Sequence, residues 1–368
     1  MKKVISKAFT NLLLGTRFII LLKLVFKNGI GLNPKYILRF LSLVPISLIS
    51  EIFILVEKIK FNRKIKQTRI EKPPVIIIGH WRSGTTFLHQ LILQDNQFTA
   101  PTVVQVIAPE HFLFSTKYYI PILKVLLPEK RPMDEVEMAP LAPMEDEWAF
   151  IRMGSETPLV KIFFPLANIK TLFDIQEFIP QGKKLVQWKK NMLTLLKKIT
   201  LLTQKQIILK NPFHTPRILL LAEVLPGTRF IHIVRHPYKI VPSAIYTWNI
   251  MSEENAFKSG WKKPTIDEAA RIVDEFWRSV NENKKRLKEN EYAEVKYEDL
   301  EADPVEELKR IYKELNLEFS NQFETSVIQF MEEKKNYKKN VFNLTMEEKN
   351  IIEKKLSHYF KAYNYEIQ

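Results

Sequence analysis

The chain has 368 residues, 46% hydrophobic and 26% charged, with no repeat or low-complexity tract, so it can bury one large core or two ordinary ones. It has no cysteine, which excludes disulfides, a thiolate metal site and a cysteine nucleophile. Its net charge of +15 suits an anionic cofactor, an anionic acceptor or an anionic membrane surface; the lysines are scattered rather than interleaved with aromatics in one stripe, so nucleic acid is not expected as a partner.

The first seventy residues differ from the rest. Leu12 to Phe26 and Tyr36 to Val56 are rich in Leu and Ile, but Arg17 and Lys23 interrupt the first, and Arg39, Pro45 and Glu51 interrupt the second. Neither supplies the roughly 18 uninterrupted apolar residues of a clean membrane span. Arg17 also splits the apolar region that a signal peptide would need. Lys58 to Lys66 extends the second segment as a basic helix. The pattern fits helices lying in a membrane interface, with Lys and Arg at anionic headgroups and Leu, Ile and Phe below them. A hairpin packed on the protein's own core is one alternative, and a true membrane-spanning or signal segment is the other. The expected organisation is an apolar, basic helical segment over 1–70 and an α/β domain over 71–368, because strand and helix patterns alternate with short linkers after about residue 70.

The next element opens that domain. Pro74 to Ile78 is an apolar β-branched run, followed by Gly79-His80-Trp81-Arg82-Ser83-Gly84-Thr85-Thr86 and a helical pattern over Phe87 to Leu93. A strand, a glycine-bounded loop and a helix N-terminus make an anion cradle, because the first backbone N–H groups and the helix dipole point at the ligand. Gly79 and Gly84 match the G-x-x-x-x-G of a P-loop, but Thr85 stands where the Lys of a nucleoside triphosphatase belongs, and Arg82 supplies a cation within the loop.

Downstream, Glu145-Asp146-Glu147 follows a Pro-punctuated loop and opens a segment with Trp148 and Phe150. Three consecutive acids on a helix point in different directions, so one or two can face a site, and helix-dipole complementation also accounts for Glu145 and Asp146. Ile207 to Lys210 is a short strand ending in Lys210-Asn211-Pro212-Phe213-His214, which puts an ammonium above the sheet edge. His214 is open to two readings, a core or capping group and a site group. Arg229 to Val234 is a buried strand, and Arg235-His236-Pro237 then leads into a helix with Ser243 eight residues beyond Arg235. An Arg at a strand end can fork onto a phosphate while a Ser on the next helix donates from the side. Val295 to Leu300, with Tyr297, Glu298 and Asp299, reads as a strand entering a helix before Asp303-Pro304.

These four strand-end motifs, in this order, resemble the sulfotransferases that use 3′-phosphoadenosine 5′-phosphosulfate (PAPS), most nearly the broad bacterial group related to tyrosylprotein sulfotransferases. The resemblance implies a P-loop-like, doubly wound parallel sheet flanked by helices, with PAPS as co-substrate and no metal. It implies that Arg82, Ser83, Gly84, Thr85 and Thr86 hold the 5′-phosphosulfate, that Arg235 and Ser243 hold the 3′-phosphate, and that Tyr297 lies near the adenine. It places Lys210, with His214 nearby, at the transferring sulfuryl group, where positive charge is needed as the bond to the leaving phosphate breaks. Tyrosylprotein sulfotransferases take the acceptor proton with a Glu shortly after the phosphate loop. Residues 101–105 contain no acid, so Glu147 or Glu145 is the expected base, with Glu110-His111 and His214 as replacements. The basic, glycine-rich C-terminal loop of the cytosolic enzymes is not visible. Lys334 to Lys339 is its nearest substitute, and a solvated charged turn is the other reading of that stretch.

The expected function is therefore transfer of a sulfuryl group from PAPS to a hydroxyl or amine acceptor not readable from the chain, a lipid, glycan or other amphipathic alcohol among them. The expected location is cytoplasmic and peripheral on the inner face of the membrane. A P-loop kinase is the second reading, but it requires a strand-end Asp for Mg²⁺, and the candidate strand ends in Arg235. A non-catalytic, membrane-associated nucleotide-binding protein is the third.

Overall fold

The computed structural model describes residues 11–134, 136–165, 174–335 and 340–367. The chain folds into two compact units. One comprises Lys72–Ala100, Lys205–Thr247 and Lys263–Gln368; the other comprises Met1–Glu71, Pro101–Gln204 and Trp248–Lys262.

The first of these is an α/β unit. Its five strands are β1 (Val75–Ile78), β2 (Phe98–Thr99), β3 (Gln206–Lys210), β4 (Arg229–Val234) and β5 (Tyr292–Lys296), all parallel, in the order β2-β3-β1-β4-β5. β1 and β3 are buried along their whole length, as their Val, Ile and Leu runs require of strands covered on both faces. The register pairs Ile77 with Lys210, Ile78 with His232 and Val234 with Lys296. From β1 the chain passes to the edge strand β2, returns to β3 beside β1, then crosses to β4 and β5 on the other side. The order thus reverses at β1, and the crevice of a doubly wound sheet opens at the carboxyl end of that strand. This is the parallel sheet flanked by helices that the motif order implies.

One sheet face packs Val75, Ile77, Ile208, Ile231, Ile233 and Val295 against Leu88, Leu91, Leu308, Ile311 and Tyr312 from covering helices. Local signals set the helix ends. Asp303 accepts from Glu306 N at 3.0 Å ahead of Pro304, and Thr265 and Thr345 form capping boxes with Glu268 and Glu348. Lys334 closes the helix Asn321–Lys334, and Lys335 pairs with Glu332. The remainder of the Lys334 to Lys339 stretch, residues 336–339, lies outside the described residues.

The second unit is helical. Residues 12–15 form a turn, and the first apolar segment becomes a helix only at Phe18–Asn28. The second becomes one helix of 34 residues, Pro34–Gln67, that runs through Arg39, Pro45 and Glu51. Pro45 lacks an N–H and costs about 3 kcal/mol in a helix interior. Packing offsets it: Leu43, Ser47, Ser50, Ile54 and Glu57 are buried. Arg17 reaches Glu51 at 3.0 Å and Glu110 at 3.4 Å. Glu57 and Lys198, 2% and 1% exposed, form an ion pair to the helix Gly182–Thr203. The outward face of the Pro34–Gln67 helix exposes Leu41, Leu48, Ile52, Leu55 and Ile59, the last 77% exposed. By length and composition this helix can also cross a membrane.

Candidate active site

The loop after β1 is shaped by two backbone positions. Gly79 has φ +146°, and a Cβ there would lie 2.6 Å from the Ile233 carbonyl oxygen; Gly84 has φ +105°, and its Cβ would lie 2.2 Å from Cδ2 of Tyr297. Both sites exclude a side chain. Arg82 adopts φ +69°, a left-handed conformation that costs an L-residue roughly 1–2 kcal/mol. Surrounding contacts hold the loop in that shape. Gly79 N–H donates to Thr215 Oγ1 at 2.9 Å, and the same hydroxyl donates to Gly79 O at 3.0 Å. Ser83 is buried, and its hydroxyl donates to His80 O at 2.8 Å, so its side chain closes the loop on itself. Trp81 packs edge-on against Phe213 and His80, and against Phe276. His80 is buried, which pushes its pKa down to about 4, and Nδ1–H donates to Trp81 O at 2.7 Å.

Gly84 is the N-cap of the helix Thr85–Ile92, and no side chain caps that end. The helix's first N–H groups have no intrahelical acceptor and point out of the N-terminus, which is the donor set an oxyanion of phosphate needs. Thr85 is buried and Thr86 half-buried beside it.

The structure brings Arg82, Ser243, Arg235 and Tyr297 together. Arg82 Nε donates to Ser243 Oγ at 2.9 Å. The Arg235 guanidinium lies 4.0 Å above the Tyr297 ring, and its Nη1 is 3.4 Å from Arg82 O. Arg235 Nε is buried and has no hydrogen-bond partner among the described residues, so this half-buried cation keeps a donor for an incoming acceptor. Tyr297 is buried, with its ring against Gly84 and its hydroxyl donating to Glu301 at 2.9 Å, so it supports the guanidinium from below. Tyr359 fixes the Arg235 backbone: its hydroxyl accepts from Arg235 N at 3.3 Å and donates to Arg235 O at 3.1 Å. Glu298 braces the next residue, accepting from His236 N at 3.0 Å and from Tyr365 Oη at 2.8 Å.

Lys210 ends β3 beside Ile77 and is 5% exposed, so its ammonium sits at the carboxyl edge of the sheet with little water around it. His89 on the loop's helix is pushed down to about 3 by burial and then by the Lys210 charge, and stays neutral. Asn211 caps the turn Pro212–Arg217 by accepting from Phe213 N at 2.9 Å. His214 lies in that turn and is wholly buried.

The acidic cluster belongs to the helical unit. Asp146 is the N-cap of the helix Glu147–Arg152, Glu147 opens it and is wholly buried, and Glu145 precedes it half-buried. Glu110 is half-buried and paired with Arg17; burial raises its pKa. His111 is buried and pushed down to about 3 by burial and the Lys198 charge, with Nδ1 2.8 Å from Ser115 Oγ.

Sequence reasoning missed Thr215 and Tyr359. Neither sits in a motif, and each acts on a backbone more than a hundred residues away. The paired aromatics His80-Trp81 inside a phosphate loop were the one local sign that the loop would be packed from outside.

A doubly wound sheet with its switch point at β1, an uncapped helix N-terminus behind a glycine-bounded loop and two arginines beside it are the features of an α/β protein built to hold an anion. Comparison with known proteins specifies the class. A family model described as "Sulfotransferase family" matches residues 73–321. The chain is 31% identical over 327 residues, 87% of its length, to the omega-hydroxy-beta-dihydromenaquinone-9 sulfotransferase Stf3 of Mycobacterium tuberculosis, covering 82% of that protein, and equally to Stf3 of Mycobacterium bovis. Among solved structures it is similar in fold to sulfotransferase STF9 from Mycobacterium avium, with a TM-score of 0.67 at 15% identity over 96% of this chain and 98% of that one. Sulfotransferase STF1 from M. tuberculosis gives a TM-score of 0.60 at 14% identity over 92% of this chain and 90% of that one. The chain belongs to the sulfotransferase family. It is a PAPS-dependent enzyme that transfers a sulfuryl group to a hydroxyl acceptor. Among the described residues, no group of three or more His, Asp or Glu is placed to hold a metal ion.

Proposed function

We propose that the acceptor is a membrane amphiphile with a terminal hydroxyl, in the class of an ω-hydroxylated menaquinone, and that the enzyme works as a peripheral protein on the cytoplasmic face of the membrane. The observation that carries this is the relationship over 87% of the chain to proteins named as sulfotransferases of such a quinone. The apolar face of the Pro34–Gln67 helix, with Ile52 63% exposed, supports it, because a monomeric soluble surface seldom presents an apolar stripe of that kind. In this reading residues 1–70 carry the membrane contact and 71–368 the donor chemistry.

The residues divide the work as follows. Backbone N–H groups of Gly84, Thr85 and Thr86, with the Arg82 guanidinium, hold the 5′-phosphosulfate. Ser83 shapes that loop. Arg235, seated on Tyr297, forks onto the 3′-phosphate, and Ser243 donates beside it while orienting Arg82. Lys210 faces the bridging oxygen. A bond forms between the acceptor oxygen and sulfur as the bond from sulfur to the phosphate oxygen breaks, and the Lys210 ammonium stabilises the charge that builds on the leaving phosphate. The acceptor proton passes to an enzyme base, Glu147 or Glu145, with His214 as the remaining candidate. Loss of a general base costs about 10²–10⁴-fold in rate.

The test is transfer of ³⁵S from PAPS by the full-length enzyme in mixed micelles. A hydroxyl-terminated polyprenyl quinol should be labelled, and the same quinol with a methyl terminus should not. Equal labelling of short soluble alcohols or tyrosyl peptides would refute the acceptor class. In parallel, Ile52→Ser/Leu55→Ser/Ile59→Ser should abolish co-sedimentation with anionic vesicles while affinity for adenosine 3′,5′-bisphosphate stays at the parental value; unchanged co-sedimentation would refute the membrane contact. Deleting the whole segment is a poorer test, because it strips Glu57 from the buried Lys198.

A further inference from the structure

The helical unit contains a cleft of about 1550 Å³ to which the proposed activity assigns nothing. Three helical stripes line it. Lys58, Asn62 and Lys66 recur at four-residue spacing on the Pro34–Gln67 helix; Lys190, Thr194 and Lys197 lie on one side of the Gly182–Thr203 helix; Ile20 and Leu24 supply an apolar wall from the Phe18–Asn28 helix. The two long helices are joined by the buried Glu57–Lys198 ion pair. Lys198 Nζ also donates to Pro109 O at 2.6 Å, and Lys197 Nζ reaches Lys66 O at 3.4 Å.

The charges in this cleft do not balance. Its acids are Glu57, Glu110, Glu156 and Glu177, and each is engaged: Glu57 with Lys198, Glu110 with Arg17, Glu156 with Lys27 and Lys184, and Glu177 with Lys161. Lys23, Lys66, Lys190 and Lys197 line the same cleft with no ion pair to an acid among the described residues, and Lys58 interacts only with Glu110, which Arg17 already pairs. A concave surface with this excess of one sign focuses its field inward and concentrates an anion. The apolar wall selects for an anion that carries a hydrocarbon chain. The Pro34–Gln67 helix supplies the remaining argument, because it exposes Leu48, Ile52, Leu55 and Ile59 and, at the end of that run and two turns beyond it, offers Lys58 and Lys66 to the cleft.

We propose that this cleft is a binding site for one anionic phospholipid of the bilayer, with its phosphate among Lys58, Lys66, Lys190 and Lys197 and an acyl chain along Ile20 and Leu24. The site rests on the reading that the Pro34–Gln67 helix meets a membrane, but it is testable without one. Calorimetry on the full chain with monomeric dihexanoyl phosphatidylglycerol, below its micelle concentration, should show saturable binding of one lipid. Lys190→Gln/Lys197→Gln should weaken it at least tenfold, and Lys58→Gln/Lys66→Gln, on an exposed helix surface, should do the same independently. Ile52→Ser/Leu55→Ser/Ile59→Ser should lose vesicle binding and keep the soluble lipid. Equal binding of dihexanoyl phosphatidylcholine, no saturable binding, or indifference to both lysine pairs would overturn the site. Glycerol phosphate binding as tightly as the lipid would replace the proposal with a free-phosphate site. Vesicle binding that survives the apolar substitutions would count against the membrane reading alone, and the soluble-lipid result would then decide the cleft.

Discussion

Arg235→Ala isolates the feature that separates this donor site from an ordinary phosphate loop. The Arg235 guanidinium lies 4.0 Å above Tyr297 with Nε buried and without a hydrogen-bond partner among the described residues, and its backbone is clamped by Tyr359 on both sides. It is therefore held in place before ligand arrives, and little ordering cost offsets the contact it makes. A hydrogen bond to a charged group contributes about 1.5–3 kcal/mol. At tenfold per ~1.4 kcal/mol, Arg235→Ala should weaken adenosine 3′,5′-bisphosphate by about 10- to 150-fold. Loss of the contact with the Tyr297 ring costs a further ~0.5–1 kcal/mol of stability, but this falls equally on every ligand. The quantity to measure is therefore the ratio of affinities for adenosine 3′,5′-bisphosphate and 5′-AMP, by titration calorimetry on parent and variant. Affinity for 5′-AMP should change by less than about threefold, since Arg235 is assigned to a phosphate that 5′-AMP lacks. Arg235→Lys should fall between, because an ammonium keeps the charge without the planar fork. Equal loss for both ligands, or no loss for either, refutes the assignment of the 3′-phosphate to Arg235.

Lys210→Ala should lower kcat with little change in affinity for adenosine 3′,5′-bisphosphate, because its contact strengthens only as charge develops; an effect confined to KM would contradict that role. Glu147→Gln and Glu145→Gln, made singly, should show a drop of about 10²–10⁴-fold in one of them. Normal turnover in both with loss in His214→Ala would move the base to His214. Gly84→Ala should destabilise the protein by about 2–5 kcal/mol, from a strained φ and a ring clash, and abolish nucleotide binding; a parental melting curve would mean that Tyr297 moves aside freely. Stability should also fall on acidification. His80 and His89 are held neutral by burial, with pKa values pushed down to about 4 and about 3. The unfolded chain therefore binds more protons below the ordinary histidine pKa of about 6.5, and each site loses about 2 kcal/mol between pH 8 and pH 5. Urea midpoints that stay constant over that range would contradict their burial as neutral groups.

The parts of this protein that can be read from sequence are those in which short-range chemistry decides the outcome. The β1 run before Gly79 and the β4 run between Pro226-Gly227 and Pro237 are strands because β-branched residues flanked by breakers have no competing helical period. The anion loop is legible because glycine spacing and a helix N-terminus are local. What holds that loop is not. Thr215 meets Gly79 across 136 residues, and Tyr359 meets Arg235 across 124. The long N-terminal helix illustrates the same limit from the other side. Arg39, Pro45 and Glu51 look like interruptions when counted along the chain, but Glu51 is answered by Arg17 and Glu57 by Lys198, and the helix runs through. The base is hardest to read, because adjacent acids at a helix start differ by about 100° in direction, and a shift of two residues exchanges the buried Glu147 for the partly exposed Glu145.

The most direct test of the donor site is a paired calorimetric titration of the full-length protein in EDTA with adenosine 3′,5′-bisphosphate, and in Mg²⁺ with ATP. A loop without the P-loop Lys, backed by Arg82 and Arg235, should bind one adenosine 3′,5′-bisphosphate without metal and more tightly than it binds ATP with Mg²⁺. Tighter binding of ATP, dependent on Mg²⁺, would contradict the account.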